Sequence, residues 1–252
     1  MNHIYSDTFF DYIDDSARTS AQALTGLLWP WLAPNSVVDM GSGRGVWLDE
    51  WQRSGARDVL GVDGDYVDRS QLAIAADRFL AADLTRPVVL DERCDLAQSL
   101  EVGEHLPASA ADTLVQSLTD ASDRVLFSAA VTGQGGEFHI NEQPLSYWQK
   151  RFEALGYRAY DCVRPHLART RNVAPWYRYN TILYVNAAGR AGLPDEVLAT
   201  EVPTGVDVLN GGDLMWRLRC GVVSKLPRRI VTQIAQSRAA LLAARARAGA
   251  SA

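Results

Sequence analysis

The sequence predicts an α/β protein in which a mainly parallel β-sheet is covered on both faces by helices. Three observations point there. Apolar runs of strand length alternate with longer stretches of helical periodicity through most of the chain. Several of these runs close on an acid, as at Asp39, Asp63 and Asp83. The stretches between them are long enough for a helix that crosses back over the sheet, which parallel pairing requires.

The elements follow in order. Ala17 to Leu32 places Ala21, Leu24, Leu27, Leu28 and Trp31 on one side and reads as an amphipathic helix. Ser36–Asp39 is the first strand, followed by a helix through Trp47, Leu48 and Trp51. Asp58–Val62 is the second strand and Phe79–Asp83 a short third. Cys94–Leu100 and Arg124–Ala129 are the fourth and fifth, separated by a helix from about Ala108 to Leu118. Leu145–Leu155 is helical and stops at Gly156, because glycine tolerates the positive φ that ends a helix. Tyr157–Val163 and Thr181–Val185 are two final strands with no good helix between them, expected to pair antiparallel at one edge. Ala187–Gly212 is rich in Gly, Pro and Asp and reads as a linker. Ser224–Arg247 is helix-like, with Ile230, Ile234, Leu241 and Leu242 on one side.

A chain of 252 residues suits one generous domain, or one domain with an extra lobe. The expected division is an N-terminal lid and helix over 1–35, a binding domain over 36–186, and a linker with a basic helical segment over 187–252. No apolar stretch approaches the length of a bilayer span, and the first residues show no basic segment followed by an apolar core. Three cysteines without metal-type spacing suit a reducing compartment, and Cys94 and Cys162 read as small buried hydrophobes. The expected localisation is cytoplasmic. Net charge is −5 but unevenly spread. Eight basic residues and no acid lie from Trp216 onward, against 17 basic and 30 acidic residues before it. That acidic body argues against a broad nucleic-acid surface. The expected partner is a small-molecule substrate, with no nucleic acid, no membrane, and homodimerisation left open.

The richest stretch is Val37-Val38-Asp39-Met40-Gly41-Ser42-Gly43-Arg44-Gly45. Glycines at alternate positions let the backbone take positive φ and let a ligand press close without meeting a Cβ. The dinucleotide fingerprint is G-x-G-x-x-G. Here the spacing is G-x-G-x-G, with Asp39 two residues before the first glycine. An acid there would repel a pyrophosphate but could hold an ammonium directly or through water. Asp63 closes the next strand and could accept from two ribose hydroxyls. Asp83-Leu84 closes the third strand and would sit beside an adenine, with Tyr66 or Val67 on the ring face. Amine, ribose and adenine together describe S-adenosylmethionine (SAM). Ser42, Gly64 and Leu100 complete the expected cofactor set.

On these residues the sequence resembles the class I SAM-dependent methyltransferases. More narrowly, it resembles a bacterial small-molecule group common in sugar, surface-glycan and natural-product gene clusters. The matching stretches are Val37–Gly45, Gly61–Asp68, Ala81–Leu84, Ser99–Pro107, Phe127–Ala130, Gly133–Gly136, His139–Gln143 with Tyr147-Trp148, and Trp176–Asn180. They span roughly residues 36 to 186. The resemblance implies a three-layer, Rossmann-like sheet of seven strands, mostly parallel with the last antiparallel, plus an N-terminal lid helix and a C-terminal helix. It also implies a small-molecule substrate, and O-methylation of a sugar, nucleotide-sugar or natural-product intermediate is the first expectation. N- or C-methylation, or a SAM-binding accessory protein that transfers nothing, are the alternatives.

Catalytic residues should lie at the carboxyl ends of the fourth and fifth strands, beside the switch point. Glu101 closes the fourth strand. His139, in a polar Gly-rich loop, is the candidate base, with Glu142 at i+3 to orient it. His105, Glu142, Trp148, Trp176, Tyr177 and Arg178 are candidate substrate contacts, since sugars stack on aromatic rings and arginine forks onto phosphate. Glu101, Glu104, His105 and His139 are suitable metal ligands by type, but sequence does not fix their geometry, and no metal is assigned. The segment Tyr5–Tyr12, with Phe9-Phe10, is a candidate lid, and Arg18 a candidate contact to the cofactor carboxylate.

Overall fold

The computed structural model describes residues 7–227 and 229–237. Seven strands form one sheet: β1 (Ser36–Met40), β2 (Asp58–Asp63), β3 (Phe79–Ala81), β4 (Leu96–Leu100), β5 (Arg124–Ser128), β6 (Arg158–Tyr160) and β7 (Ile182–Val185). Their spatial order is β3-β2-β1-β4-β5-β7-β6. All neighbours up to β5 pair parallel, and β7 runs antiparallel to both β5 and β6. The long helices are α1 (Asp7–Leu32), α2 (Val46–Ser54), α3 (Ala111–Ala121) and α4 (Leu145–Ala154). Shorter ones follow: α5 (Arg164–Leu167), α6 (Pro175–Asn180), α7 (Asp195–Leu198), α8 (Leu214–Val223) and α9 (229–237).

The layers follow from the period of two along each strand. In β1, Val37 faces one core while Val38 and Met40 face the other; in β5, Leu126 opposes Val125 and Phe127. The first core takes Leu24 and Leu28 of α1 with Leu48 and Trp51 of α2. The second takes Leu114 and Leu118 of α3 with Trp148 and Phe152 of α4. Strands buried on both sides read as unbroken apolar runs, which is why β1, β5 and β7 were conspicuous in the sequence. Helix α4 stops as expected, with Gly156 at φ 83 and its N–H donating to Glu153 O.

Three expectations change. The linker reading of Ala187–Gly212 gives way to a packed segment. Val197 and Val208 are buried in the two cores, Glu201 bridges to Tyr160, and Trp31 of α1 donates to Glu196. Its Gly and Pro shape turns in a chain that lies on the body. Two short helices, α5 and α6, stand between β6 and β7 where none was expected. The single helix expected over Ser224–Arg247 is preceded by α8 and begins only after Pro227, because proline starts a helix but cannot continue one. Leu241, Leu242 and the side chains of the candidate lid Tyr5–Tyr12 lie outside the described residues. Among the described residues, no helix is long and apolar enough to cross a membrane.

Candidate active site

A cavity of about 1350 Å³ opens at the carboxyl ends of β1 to β4, where the chain order reverses between β1 and β4. Pockets for a single small ligand usually enclose roughly 300–1,000 Å³, so this one has room for two molecules. The glycine turn and the ends of β2 and β3 form one end. The segment after β4, the loop over 133–142 and the C-terminal helices form the other.

At the first end the backbone is shaped for close approach. Gly41, Gly43 and Gly45 take φ of 93°, 52° and 81°, conformations that side chains resist. Gly41 and Ser42 donate to Val62 O, pinning the turn to β2. A Cβ on Gly41 would lie 2.2 Å from Val102 Cγ2, so the position admits only glycine. Asp63 is buried and well supplied. Its Oδ2 accepts from Gly43 N at 2.7 Å, and its Oδ1 from Gly64 N at 2.7 Å and Tyr66 Oη at 2.5 Å. Burial pushes its carboxyl above the usual range, against the pull of those donors. The Tyr66 hydroxyl thus takes the acceptor position that a ribose hydroxyl would need. Asp83 also lines the cavity and accepts from Thr85 N and Oγ1, bonds that hold its carboxyl below the usual range. Ser42, Gly64, Leu84 and Leu100 are on the wall as well.

Asp39 is not among the residues that line the cavity. It lies 2 % exposed beneath the turn, where burial lifts its carboxyl to about 7, with the Gln98 side chain opposing and the charge of Asp63 adding to the rise.

The second end is assembled from distant segments. Glu101 follows β4 at φ 59°, a left-handed conformation that costs a non-glycine residue. Its N–H is held by Ser128, and its carboxylate accepts from Gln134 Nε2 at 2.6 Å and Asn180 Nδ2 at 3.4 Å. Burial raises its carboxyl. His139 follows Phe138, which also takes φ 59°. Its Nδ1 lies 2.9 Å from Glu142 Oε1. Burial pushes the Glu142 carboxyl up, but its bond to His139 and the N–H groups of Gly133 and Gly135 outweigh this and hold it low. An ionised carboxylate only accepts, so Nδ1 carries the proton and the Nε2 lone pair faces away from Glu142. That lone pair lies 3.9 Å from Glu104 Oε1, and the His105 ring meets the His139 ring edge-on at 4.9 Å. Burial and the neighbouring His139 push the His105 imidazole down to about 3.

Glu101, His105, His139, Trp176 and Tyr177 therefore share the cavity. Three expected contacts do not. Glu142 lies behind the wall and pins the loop. Trp148 is in the core, 1 % exposed and packed on Phe127. Arg178 turns away, over the Tyr179 ring and toward Thr170 O. Arg18 is also drawn elsewhere, tying α1 to α2 through Asp49 at 2.6 Å and Glu50 at 2.9 Å. The arginines on the wall are instead Arg44 of the glycine turn and Arg219 and Arg229 of the C-terminal segment. Sequence reasoning noted that segment's charge but not its place. It also missed Gln134 and Asn180, single amides whose role depends on a fold that brings them to Glu101.

No family model and no curated protein matches the sequence. Solved structures do match. DesVI from Streptomyces venezuelae aligns over 72% of this chain and 96% of its own, at 13% identity and a TM-score of 0.53. An O-methyltransferase family protein from Burkholderia thailandensis aligns over 71% of this chain and 59% of its own, at 13% and 0.52. Magnesium protoporphyrin IX methyltransferase from Synechocystis PCC 6803, with bound SAH, aligns over 74% and 90%, at 18% and 0.50. At such identities the likeness is one of architecture, and the chain has the fold of these methyltransferases.

Proposed function

We propose that this protein is a SAM-dependent methyltransferase that methylates a hydroxyl of a small molecule, with a sugar, nucleotide-sugar or natural-product intermediate as the acceptor class. The reading rests on one observation above all. A glycine turn with a buried strand-end acid and an imidazole oriented by a carboxylate open into the same cavity.

The residues present suit the cofactor. Gly41, Gly43 and Gly45 hold the turn at positive φ on the cavity wall, Asp63 holds one acceptor position on Oδ2 and a second that Tyr66 can vacate, and Asp83-Leu84 lies at the end of the third strand on the same wall. When bound, SAM supplies an electrophilic methyl on a sulfonium. The chain's own work is to orient the acceptor and manage its proton. Trp176 and Tyr177 offer aromatic faces to a sugar, and Arg219 and Arg229 supply positive charge for an anionic acceptor. The acceptor hydroxyl gives its proton to His139 Nε2. Glu142 keeps Nδ1 protonated and steadies the imidazolium that results.

The test is to incubate the protein with SAM and a panel of hydroxylated sugars and nucleotide-sugars and measure S-adenosylhomocysteine. Turnover on a member of the panel, reduced by about 10²–10⁴-fold in His139→Ala, is expected. Turnover that survives His139→Ala points instead to an amine acceptor, which attacks without a base. SAM binding without turnover on any acceptor supports a non-catalytic SAM-binding protein.

A further inference from the structure

The acceptor end of the cavity carries a group that proton transfer alone does not use. Glu104 is 1 % exposed, and among the described residues no donor meets its carboxylate at full hydrogen-bond geometry; only the backbone N–H groups of Glu104 and Ala130 approach it, more loosely. A buried carboxyl so weakly paired is costly and persists only where something offsets it. Its neighbours are two imidazoles. One ligand atom each from Glu104, His105 and His139 lie within 4.8 Å of one another. His105 Nδ1 is buried and also lacks a hydrogen-bond partner.

We infer that Glu104, His105 and His139 bind a divalent first-row transition ion on the acceptor wall of the cavity. Two nitrogens and one carboxylate oxygen are a donor set suited to ions such as Mn²⁺, Co²⁺ or Zn²⁺ and less to Mg²⁺ or Ca²⁺. Ligand bonds of about 2.1 Å need donor separations near 3–4 Å, so the cluster must contract by about 1 Å. The surroundings already favour this. Glu142 accepts the His139 Nδ1 proton, the outer carboxylate that fixes a metal-binding imidazole and aims its other nitrogen. The backbone on both sides is held, since Ile140 N and Asn141 N both donate to Glu104 O. Gly136 leaves room, because a Cβ there would lie 2.1 Å from His139 Nε2.

Three protein ligands leave coordination positions open toward the cavity. An acceptor hydroxyl taking one of them would become more acidic, so a bound ion would supply the activation that His139 Nε2 supplies as base when the ion is absent. This catalytic use rests on the methyltransferase reading; ion binding does not.

The experiment is a Co²⁺ titration of the chelator-treated full-length protein, followed by visible absorption, with SAM binding measured in parallel by calorimetry. One Co²⁺ per chain with a ligand-field spectrum is expected. Affinity should fall by about 100-fold or more in Glu104→Gln and in His105→Ala, and by about 10–100-fold in Glu142→Gln through the outer carboxylate. Circular dichroism and retained SAM binding establish that each variant is folded. Absence of saturable Co²⁺ binding, or binding unchanged in folded Glu104→Gln, overturns the inference. Co²⁺ binding without SAM binding leaves it standing and removes the methyltransferase reading; SAM binding without Co²⁺ does the reverse.

Discussion

The two ends of the cavity differ in how completely their polar groups are paired. At the glycine end, Asp63 accepts three hydrogen bonds, Asp83 two, and the turn is bonded to β2. At the acceptor end, among the described residues, no donor meets either Glu104 oxygen or His105 Nδ1 at full hydrogen-bond geometry, and Glu104 is approached only loosely by backbone N–H groups. Paired groups stabilise a site before any ligand arrives; unpaired ones reserve their interactions for a ligand. The glycine end is thus built for a molecule of fixed shape. The other end keeps its bonding capacity for what completes it.

This contrast can be broken at the glycine end first. Gly41→Ala should weaken SAM binding about 100-fold or more, because the Cβ meets Val102 and the φ of 93° is retained. Adding Val102→Ala should recover part of the loss but not all, since it relieves the clash and leaves the backbone strain. Full recovery in a calorimetric titration would show that the turn's conformation is unimportant.

Asp39 gives the next largest effect. Its folded carboxyl sits at about 7, above the roughly 3.9 of an unfolded chain, so the folded state binds more protons between these values. Stability of the ligand-free protein should be full at the acid side of that window and fall as pH rises through about 7. The Asp39 share of the loss is on the order of 2–4 kcal/mol, and Asp39→Asn should remove that share while Asp63 and Glu101, also raised by burial, keep theirs. Thermal melts of both proteins between pH 5 and pH 8 measure the difference. A melting temperature that rises with pH in the wild type, or an Asp39→Asn variant that loses as much stability as the wild type, contradicts the account.

At the acceptor end the sign is opposite to that of an ordinary deletion. Glu104→Met keeps the volume and removes both poorly paired oxygens, so it should stabilise the metal-free protein by up to about 1 kcal/mol. Destabilisation by a similar amount in denaturant melts would mean that Glu104 has partners the contrast ignores. The smallest expected effect is at Tyr66. Tyr66→Phe frees Asp63 Oδ1 for a ribose hydroxyl and should tighten SAM binding by a few-fold, about 1 kcal/mol at most. A large weakening would make Tyr66 a cofactor contact and not a stand-in.

The same contrast governs what the sequence revealed. The β1 turn, Asp63 and Asp83 were legible because backbone geometry and strand ends leave local marks: alternating glycines, β-branched runs and terminal acids. Glu101 and His139 were legible by position, one at a strand end and the other in a loop after the fifth strand. Glu104 could be listed as a ligand type, but its setting depends on Ile140 and Asn141 bonding its backbone carbonyl from 36 and 37 residues away. Trp148 and Arg178 were misplaced because helical spacing cannot tell a core face from a cavity face. Ala187–Gly212 was misread because Gly and Pro mark turns whether the segment is free or packed, and only Val197 and Val208 carry the packing.

The most direct measurement is a calorimetric titration of SAM into the wild type, Asp63→Ala and His139→Ala. The account predicts saturable 1:1 binding by the wild type, a loss of about 30-fold or more in Asp63→Ala, and an affinity within about 3-fold of wild type in His139→Ala. No binding by the wild type, or equal binding by a folded Asp63→Ala variant, would contradict it.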